Sequence, residues 1–289
     1  MALSILYRGF LSSCNYACAY CPFAKHTESK AEHLRDAAAL EKFLTWVETR
    51  GTPTSVFFTP WGEALIRTRY QKAVQRLSNL SHLKKVVVQT NGSWGLRWLE
   101  QVNLEKLALW ITFHPSETSL EKFATRANEL IRLGVRFSVG AVGIRENLVL
   151  LEQLREAIPS EIYLWINAFD RRGQNYYSPE TLERLSKIDP YFALNLERYK
   201  SRGQACSTGH TVISVDGFGM ARRCHFIETP IGSIYTPDFE EKLVPKPCSR
   251  SFCDCHIGYV HLEKLGLQEV FAGGILERIP SHWNKNILT

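Results

Sequence analysis

Six short runs rich in β-branched and aromatic residues recur along the chain, separated by longer segments whose apolar residues are spaced three to four apart. Period-two and uninterrupted apolar runs are typical of strands, and the wider spacing is typical of amphipathic helices. The alternation predicts repeated βα units and a parallel sheet. The predicted strands are Leu3–Tyr7, Ser55–Thr59, Lys85–Thr90, Leu107–Phe113, Val135–Gly143 and Glu161–Ala168.

Two helices can be predicted in more detail from their apolar stripes. One spans Ala31–Arg50 and stops at Gly51, and the other spans Ser119–Ile131 and stops at Gly134, since glycine is a common residue after a helix end. The predicted buried stripes are Leu34, Leu40, Phe43, Leu44 and Val47 in the first helix, and Leu120, Phe123, Ala127, Leu130 and Ile131 in the second.

The fold class that follows is α/β, as a partial (βα)6 barrel or an open sheet, with functional groups expected at the carboxyl ends of the strands. The alternation of predicted strands and helices ends near residue 200. The stretch TVISVDGFGMARRC predicts a hairpin that turns at Asp216-Gly217, and a Cys- and Pro-rich loop follows it. We therefore predict a barrel domain over residues 1–200 and a small cysteine-rich extension over 201–289.

Charge and composition narrow the class of protein. The 35 basic and 29 acidic residues give a net charge of only +6, and no run of Lys or Arg suggests a nucleic-acid partner. No segment is apolar for the roughly 20 residues that a membrane span requires. The N-terminus resembles a first strand more than a signal peptide, so we expect a cytoplasmic protein, whose cysteines are more often metal ligands or catalytic thiols than disulfides.

The eight cysteines fall into two groups, and the first has an odd number of members. Cys14, Cys18 and Cys21 follow the first predicted strand with the spacing Cys-x3-Cys-x2-Cys. Structural zinc sites normally close with four ligands, and the nearby His26 does not fit a usual zinc spacing. A cubane iron–sulfur cluster normally takes four thiolates, so three would leave one iron open to a substrate or cofactor.

This loop, with an aromatic residue, Tyr20, before its last cysteine, resembles the cluster-binding loop of the radical S-adenosylmethionine (radical SAM) superfamily. The resemblance implies a [4Fe–4S] cluster on Cys14, Cys18 and Cys21, whose open iron chelates S-adenosylmethionine (AdoMet). One electron, from a donor such as flavodoxin or ferredoxin, then cleaves AdoMet, and the resulting 5′-deoxyadenosyl radical removes a hydrogen atom from the substrate. By the same resemblance, Tyr20 lies beside the adenine.

Other positions match the same superfamily. The segment Thr59–Ala64 resembles its Gly-Gly-Glu-Pro motif, in which Gly62 and Glu63 would meet the methionine amino group, although Trp61 and Ala64 depart from the pattern. Thr90-Asn91-Gly92 resembles a Thr-Asn-Gly turn that lines the cofactor. Two polar residues on later strands, Ser138 and Asn167, either bond the AdoMet or are satisfied core groups. His114 either faces the substrate or is packed and hydrogen-bonded.

The second cysteine group resembles the cluster-binding part of SPASM and twitch extensions of radical SAM enzymes. The hairpin between Cys206 and Cys224 should bring these two thiols together, and two of Cys248, Cys253 and Cys255 would complete an auxiliary [4Fe–4S] cluster. A structural zinc held by the same thiolates is the alternative. The adjacent His210, His225 and His256 are expected mostly as hydrogen-bond donors beside the ligands or as surface residues.

With a cluster at each cysteine group, the N-terminal cluster would make the radical and the C-terminal cluster would accept an electron. This division predicts net oxidation of a substrate. The short segment before the first strand leaves no room for a leader-binding domain, which favours a small molecule over a peptide. The alternatives are a peptide-modifying or cross-linking radical SAM enzyme, a barrel with a zinc module, and a non-catalytic iron–sulfur electron carrier. Six residues between the two predicted domains either line the substrate cavity or pack at the domain boundary. They are Arg171, Arg172, Tyr176, Tyr177, Tyr199 and Arg202.

Overall fold

The structure, a computed structural model, describes residues 2–23, 26–169 and 175–284. The strands are β1 (Leu3–Gly9), β2 (Thr54–Phe58), β3 (Leu83–Thr90), β4 (Leu107–Thr112), β5 (Arg136–Gly143), β6 (Leu164–Ala168), β7 (Tyr199–Lys200), β8 (Val212–Asp216), β9 (Met220–Arg222), β10 (Pro230–Ser233) and β11 (Phe252–Cys253). The helices are α1 (Lys30–Arg50), α2 (Thr68–Ser78), α3 (Leu120–Arg132), α4 (Leu148–Ala157), α5 (Pro179–Ile188), α6 (Phe192–Leu196) and α7 (Leu267–Phe271).

Nine strands form one sheet in the order β10-β9-β8-β1-β2-β3-β4-β5-β6. Strands β1 to β6 are parallel neighbours in chain order. All six predicted strands and the α/β class are therefore confirmed. Within the described residues β6 and β10 are the edges of this sheet, so the barrel is partial and does not close.

The chain after residue 200 adds to the same sheet. Strand β8 pairs in parallel with β1, with Ser4 opposite Val212. Strands β8 and β9 form the predicted hairpin, in which the Asp216 carboxylate accepts hydrogen bonds from the amides of Phe218 and Met220 at 2.9 and 3.0 Å. The carboxyl end of β1 thus lies between the carboxyl ends of β2 and β8.

Each parallel strand is buried on both faces, which explains its nearly continuous apolar sequence. In β1, Leu3, Ile5 and Tyr7 pack toward the helices, whereas Leu6 belongs to a second core on the opposite face. That second core is built from aromatic side chains of the strands and of the last described segment, including Trp110, Trp165, Tyr259 and Phe271.

An ion-pair cluster attaches the C-terminal segment to the face of the sheet that carries this second core, which is called the inner face below. The Glu277 side chain is fully buried, and its Oε1 accepts from Lys85 Nζ at 2.5 Å and from Arg136 Nε at 2.9 Å. The buried carboxylate thus connects the C-terminal segment to Lys85 of β3 and Arg136 of β5.

The two predicted helices form with the expected ends. Helix α1 begins with a capping box of Ser29 and Glu32, and Gly51 at its end has a left-handed φ of 66°. The α1 stripe is buried except at Leu34, which is 62% exposed, so that part of the prediction is wrong. No helix in the described ranges combines the length and apolarity that crossing a bilayer requires.

Candidate active site

The first cysteine loop leaves β1 and runs beside the loop that follows β2. The Trp61 amide donates to the Leu11 carbonyl at 3.2 Å, and the Glu63 amide donates to the Ser13 carbonyl at 3.1 Å. Gly62 lies between these two bonds, and a Cβ at this position would overlap the Ser13 carbonyl. A glycine is therefore needed here for the two backbones to approach.

A buried carboxylate that sequence reasoning missed, Glu28, ties the two ends of the cysteine loop together. It accepts from the Ser12 amide at 2.7 Å and from the Ser13 hydroxyl at 2.5 Å. Arg67 from the second loop donates to the Ser13 hydroxyl at 2.8 Å. Burial alone would raise the pKa of Glu28, but these hydrogen bonds and His33 hold it below its usual value. The loop ends are thus held by an ionised carboxylate.

Two of the three thiols of the loop lie close to polar groups that follow β3 and β4. Cys18 is buried, while Cys14 and Cys21 are partly exposed. Cys14 Sγ lies 3.7 Å from Asn91 Nδ2, and Cys18 Sγ lies 3.3 Å from His114 Nδ1. Burial raises the pKa of the Cys18 thiol to about 11. A metal that binds this thiol must therefore displace its proton.

Tyr20 and His114 form a pair beside Cys18. The Tyr20 hydroxyl lies 2.7 Å from His114 Nδ1, and the rings are stacked with centroids 6.0 Å apart. Burial lowers the pKa of His114 to about 4, so the imidazole is neutral at pH 7. His114 is therefore packed and hydrogen-bonded within the loop, and the place of Tyr20 beside an adenine stays a prediction.

Glu63 organises the carboxyl ends of β2 and β3. Its carboxylate is 3% exposed and accepts from the Leu65 amide, the Thr90 hydroxyl and the Asn91 amide at 3.0, 2.6 and 2.7 Å. Burial raises its pKa to about 7, and the three hydrogen bonds oppose that rise. Since a carboxylate offers about four acceptor sites, the donors among the described residues leave one of them open.

Glu63→Gln should destabilise the fold by about 1–3 kcal/mol, because the amide nitrogen of Gln would face a buried donor that it cannot satisfy. Urea unfolding at pH 7 measures the loss. The control is Glu183→Gln, a surface residue paired with Lys187, for which we expect less than about 0.5 kcal/mol. A Glu63→Gln protein as stable as the control would show that these hydrogen bonds do not fix the loop.

The turn after β3 forms a small network with the cysteine loop. The Thr90 hydroxyl accepts from Trp94 Nε1 at 2.7 Å, and Asn91 Nδ2 donates to Asn15 Oδ1 at 3.0 Å. The structure thus brings together Cys14, Cys18, Tyr20, Gly62, Glu63, Thr90 and Asn91 at one edge of the sheet.

Ser138 in β5 and Asn167 in β6 were the two further candidates for AdoMet contacts, and Ser138 lies away from the carboxyl edge of the sheet. Its hydroxyl donates to the Glu277 carbonyl at 2.7 Å and accepts from Trp165 Nε1 at 3.1 Å, and the side chain is fully buried. It is a satisfied core group, and we do not propose a cofactor contact for it. Asn167 lies near the carboxyl end of β6 and lines a cavity on the inner face with Trp165 and Arg278.

All five C-terminal cysteines line one cavity. Its empty volume is about 380 Å³, and its lining includes Cys206, Cys224, Cys248, Cys253 and Cys255. The prediction that the hairpin brings Cys206 and Cys224 together is confirmed. Burial and neighbouring thiols raise the pKa of Cys224 to about 11 and that of Cys253 to about 12. Nowhere in the described ranges do three Cys, His, Asp or Glu side chains converge as ligands of a single metal ion.

Backbone pairing explains how distant cysteines reach the same cavity. Strand β11, which contains Cys253, pairs antiparallel with β7, and Cys206 forms a bridge with Leu262. The Cys248 amide donates to the Gln204 carbonyl at 2.9 Å. A thiol-lined cavity with this donor set fits an iron–sulfur cluster, because thiolates are the usual ligands of such clusters.

The histidines near these cysteines differ in their surroundings. His225 Nδ1 lies 2.6 Å from the Ser214 hydroxyl, and His256 Nδ1 lies 3.3 Å from Asn195 Oδ1. His210 is partly exposed. Sequence reasoning missed His261, which is 2% exposed. Its only signal in the sequence is its position six residues after the last cysteine.

The residues predicted to line a substrate cavity are largely bound to the backbone. The Tyr177 hydroxyl donates to the Gly143 carbonyl at 2.6 Å, the Tyr199 hydroxyl donates to the Leu194 carbonyl at 2.9 Å, and the Tyr176 hydroxyl accepts from the Arg145 amide at 3.2 Å. Arg202 donates to the Ser251 hydroxyl at 3.0 Å. These contacts match boundary packing. Arg171 and Arg172 lie outside the described residues.

The partial barrel with its added C-terminal strands is the fold of solved structures that hold AdoMet. The structure of native anSMEcpe with bound AdoMet and the Kp18Cys peptide has a TM-score of 0.56 at 13% identity, covering 84% of this chain and 80% of that chain. Hexahistidine-tagged anSMEcpe with bound AdoMet has a TM-score of 0.55 at 13% identity, with the same coverage of both chains. BtrN in complex with AdoMet and 2-DOIA has a TM-score of 0.44 at 14% identity, covering 83% of this chain and 87% of that chain.

Neither a protein-family model nor a curated protein matches the sequence. At these identities the likeness to anSMEcpe is one of fold. The fold that the sequence resemblance implied, a partial barrel with a small C-terminal extension, is confirmed at that level.

Proposed function

We propose that the protein is a radical SAM enzyme whose first cluster is held by Cys14, Cys18 and Cys21. The observation that carries the proposal is the position of this loop at the carboxyl edge of a parallel sheet, with Cys14 within reach of Asn91 and Cys18 within reach of His114. The fold shared with AdoMet-bound anSMEcpe supports it.

When bound, a [4Fe–4S] cluster with AdoMet on its open iron supplies the one-electron cleavage that yields a 5′-deoxyadenosyl radical. The chain's own residues shape the space around it. Glu63 offers its remaining acceptor site to the methionine ammonium, and a charge-assisted hydrogen bond of this kind is strong in a buried site. Gly62 keeps the two loops close, Thr90 and Asn91 hold Glu63 in place, and Asn167 and Tyr20 are further candidates for AdoMet contacts.

The five thiols of the C-terminal cavity are proposed to hold an auxiliary [4Fe–4S] cluster. They outnumber the four ligands that saturate a cubane, so no iron needs to be open to substrate and electron transfer is the natural role. The net reaction is oxidation of a small molecule. The substrate would give a hydrogen atom to the radical, forming 5′-deoxyadenosine, and would then lose one electron and release a proton to solvent. An auxiliary cluster held by the C-terminal thiols would supply the acceptor for that electron. A one-electron donor such as flavodoxin or ferredoxin supplies the first electron.

A peptide substrate is the second candidate. Two of the anSMEcpe structures that share the fold contain a bound peptide, which supports a peptide-modifying reaction of the same radical. Incubation with each substrate class, followed by mass spectrometry for loss of two hydrogens, separates the candidates.

Iron and sulfide content tests the proposed pair of clusters. After anaerobic reconstitution we expect about eight irons and eight sulfides per chain, and about four of each when Cys14, Cys18 and Cys21 are all replaced by Ala. About four irons in the wild type together with one bound zinc would identify the C-terminal cavity as a zinc site. Fewer than about four irons in the wild type would refute both clusters.

A further inference from the structure

The Arg8 side chain, at the carboxyl end of β1, lies between the two thiol sites. Its guanidinium stacks on Trp61, 4.0 Å from the ring centroid, and Nη1 donates to the Thr59 carbonyl at 2.7 Å. On the first-loop side, the Trp61 ring packs 4.2 Å from Phe23, two residues after Cys21. On the other side, Arg8 Nε donates to Nδ1 of His225, the residue after Cys224, at 3.1 Å.

Arg8 is a cation without a carboxylate partner in the described part of the chain. Burial lowers its pKa to about 10, and the nearby Cys255 opposes that fall. The guanidinium therefore remains protonated at neutral pH. Burying a cation is costly unless opposite charge lies close by. A cluster ligated by thiolates at the C-terminal cysteines would supply that opposite charge.

The bond from Arg8 also decides which nitrogen of His225 carries the ring proton. An arginine Nε always donates, so His225 Nδ1 must be the unprotonated acceptor and the proton lies on Nε2. Nε2 is buried and has no hydrogen-bond partner among the described residues. A buried donor without an acceptor calls for an explanation such as an additional group bound nearby.

We propose that Arg8 and His225 form a donor pair that raises the reduction potential of the cluster held by the C-terminal cysteines. The inference rests on the proposed function, because it requires that cluster. An added electron makes a thiolate-ligated cluster more negative, so a fixed cation and a hydrogen-bond donor beside it favour the reduced state. The pair thereby makes the auxiliary cluster a better electron acceptor.

A redox titration of the auxiliary cluster alone tests this inference. The parent protein carries Cys14→Ala, Cys18→Ala and Cys21→Ala, and its cluster is followed by visible absorption and by electron paramagnetic resonance. Adding Arg8→Gln should lower the equilibrium constant for reduction at least tenfold, a fall of about 59 mV for a one-electron couple. Arg8→Lys keeps the positive charge, so its reduction potential should lie between those of the parent and of Arg8→Gln. His225→Phe removes the Nε2 donor and should also lower the potential.

The control is Arg155→Gln, because Arg155 donates to the backbone carbonyls of Ile158, Pro159 and Ile162 rather than to groups near the cysteines. Its potential should equal that of the parent. Iron and sulfide are counted in every variant. If Arg8→Gln does not load iron, His225→Phe alone decides. Unchanged potentials in iron-loaded Arg8→Gln or His225→Phe proteins overturn the inference and leave the cluster proposal standing. A parent protein that binds no iron overturns the auxiliary cluster and the inference with it.

Discussion

A Cys18→Ala protein is expected to lose cleavage of AdoMet to 5′-deoxyadenosine. Cys18 is the buried thiol of the first loop, and its sulfur lies beside His114. Replacing a residue that only supports a metal ligand typically costs roughly 10- to 100-fold, so removal of a ligand should cost more than about 100-fold. Chromatographic assay of 5′-deoxyadenosine after dithionite reduction measures the loss, and iron content should fall by about four per chain.

The matched control is Cys206→Ala in the C-terminal cavity. This variant should lower iron content while AdoMet cleavage continues, because the first loop is intact. If Cys18→Ala cleaves AdoMet at the wild-type rate, the first loop is not the site of the radical chemistry.

Gly62→Ala is expected to have the second large effect, on the stability of the site itself. The added Cβ would overlap the Ser13 carbonyl, which is backbone and cannot rotate away as a side chain could. The two loops must then separate, breaking the bond from the Glu63 amide to Ser13 and shifting Cys14. Overpacking of this kind costs about 3 kcal/mol. Urea unfolding measures the loss of stability, and iron counting should show that the first loop no longer loads.

Gly95→Ala is the control for this substitution. A Cβ at Gly95 would meet nothing within 4 Å, and its backbone is not left-handed. Its stability should change by less than about 1 kcal/mol, with a gain as the expected direction. Normal stability and iron loading in Gly62→Ala would show that the close approach of the two loops is unnecessary.

The strands could be predicted because their signal is local. A parallel strand buried on both faces has a continuous apolar sequence, as in Val86, Val87 and Val88 of β3. The exposure of Leu34 has a geometric cause. At about 100° per residue, Leu34 lies about a third of a turn around α1 from Leu40, away from the stripe on which Asp36 is buried. The pairing of β8 with β1 could not be predicted, because the sequence of neither strand specifies which strand it pairs with.

The cysteine loop could also be predicted, since its spacing lies within eight residues and leads to one kind of chemistry. Groups that depend on distant contacts could not. The sequence left Ser138 as either an AdoMet contact or a satisfied core group, because its acceptor is the carbonyl of Glu277, 139 residues away. No sequence motif pointed to Arg8, because its contact with His225, 217 residues away, is made only in the folded chain.

The central claim is that this chain performs radical chemistry on AdoMet. The most direct measurement is the formation of 5′-deoxyadenosine from AdoMet by the anaerobically reconstituted, dithionite-reduced wild-type protein. We predict that 5′-deoxyadenosine accumulates only when iron and sulfide have been supplied. A protein that carries its full iron complement, binds AdoMet and forms no 5′-deoxyadenosine under these conditions would contradict the claim.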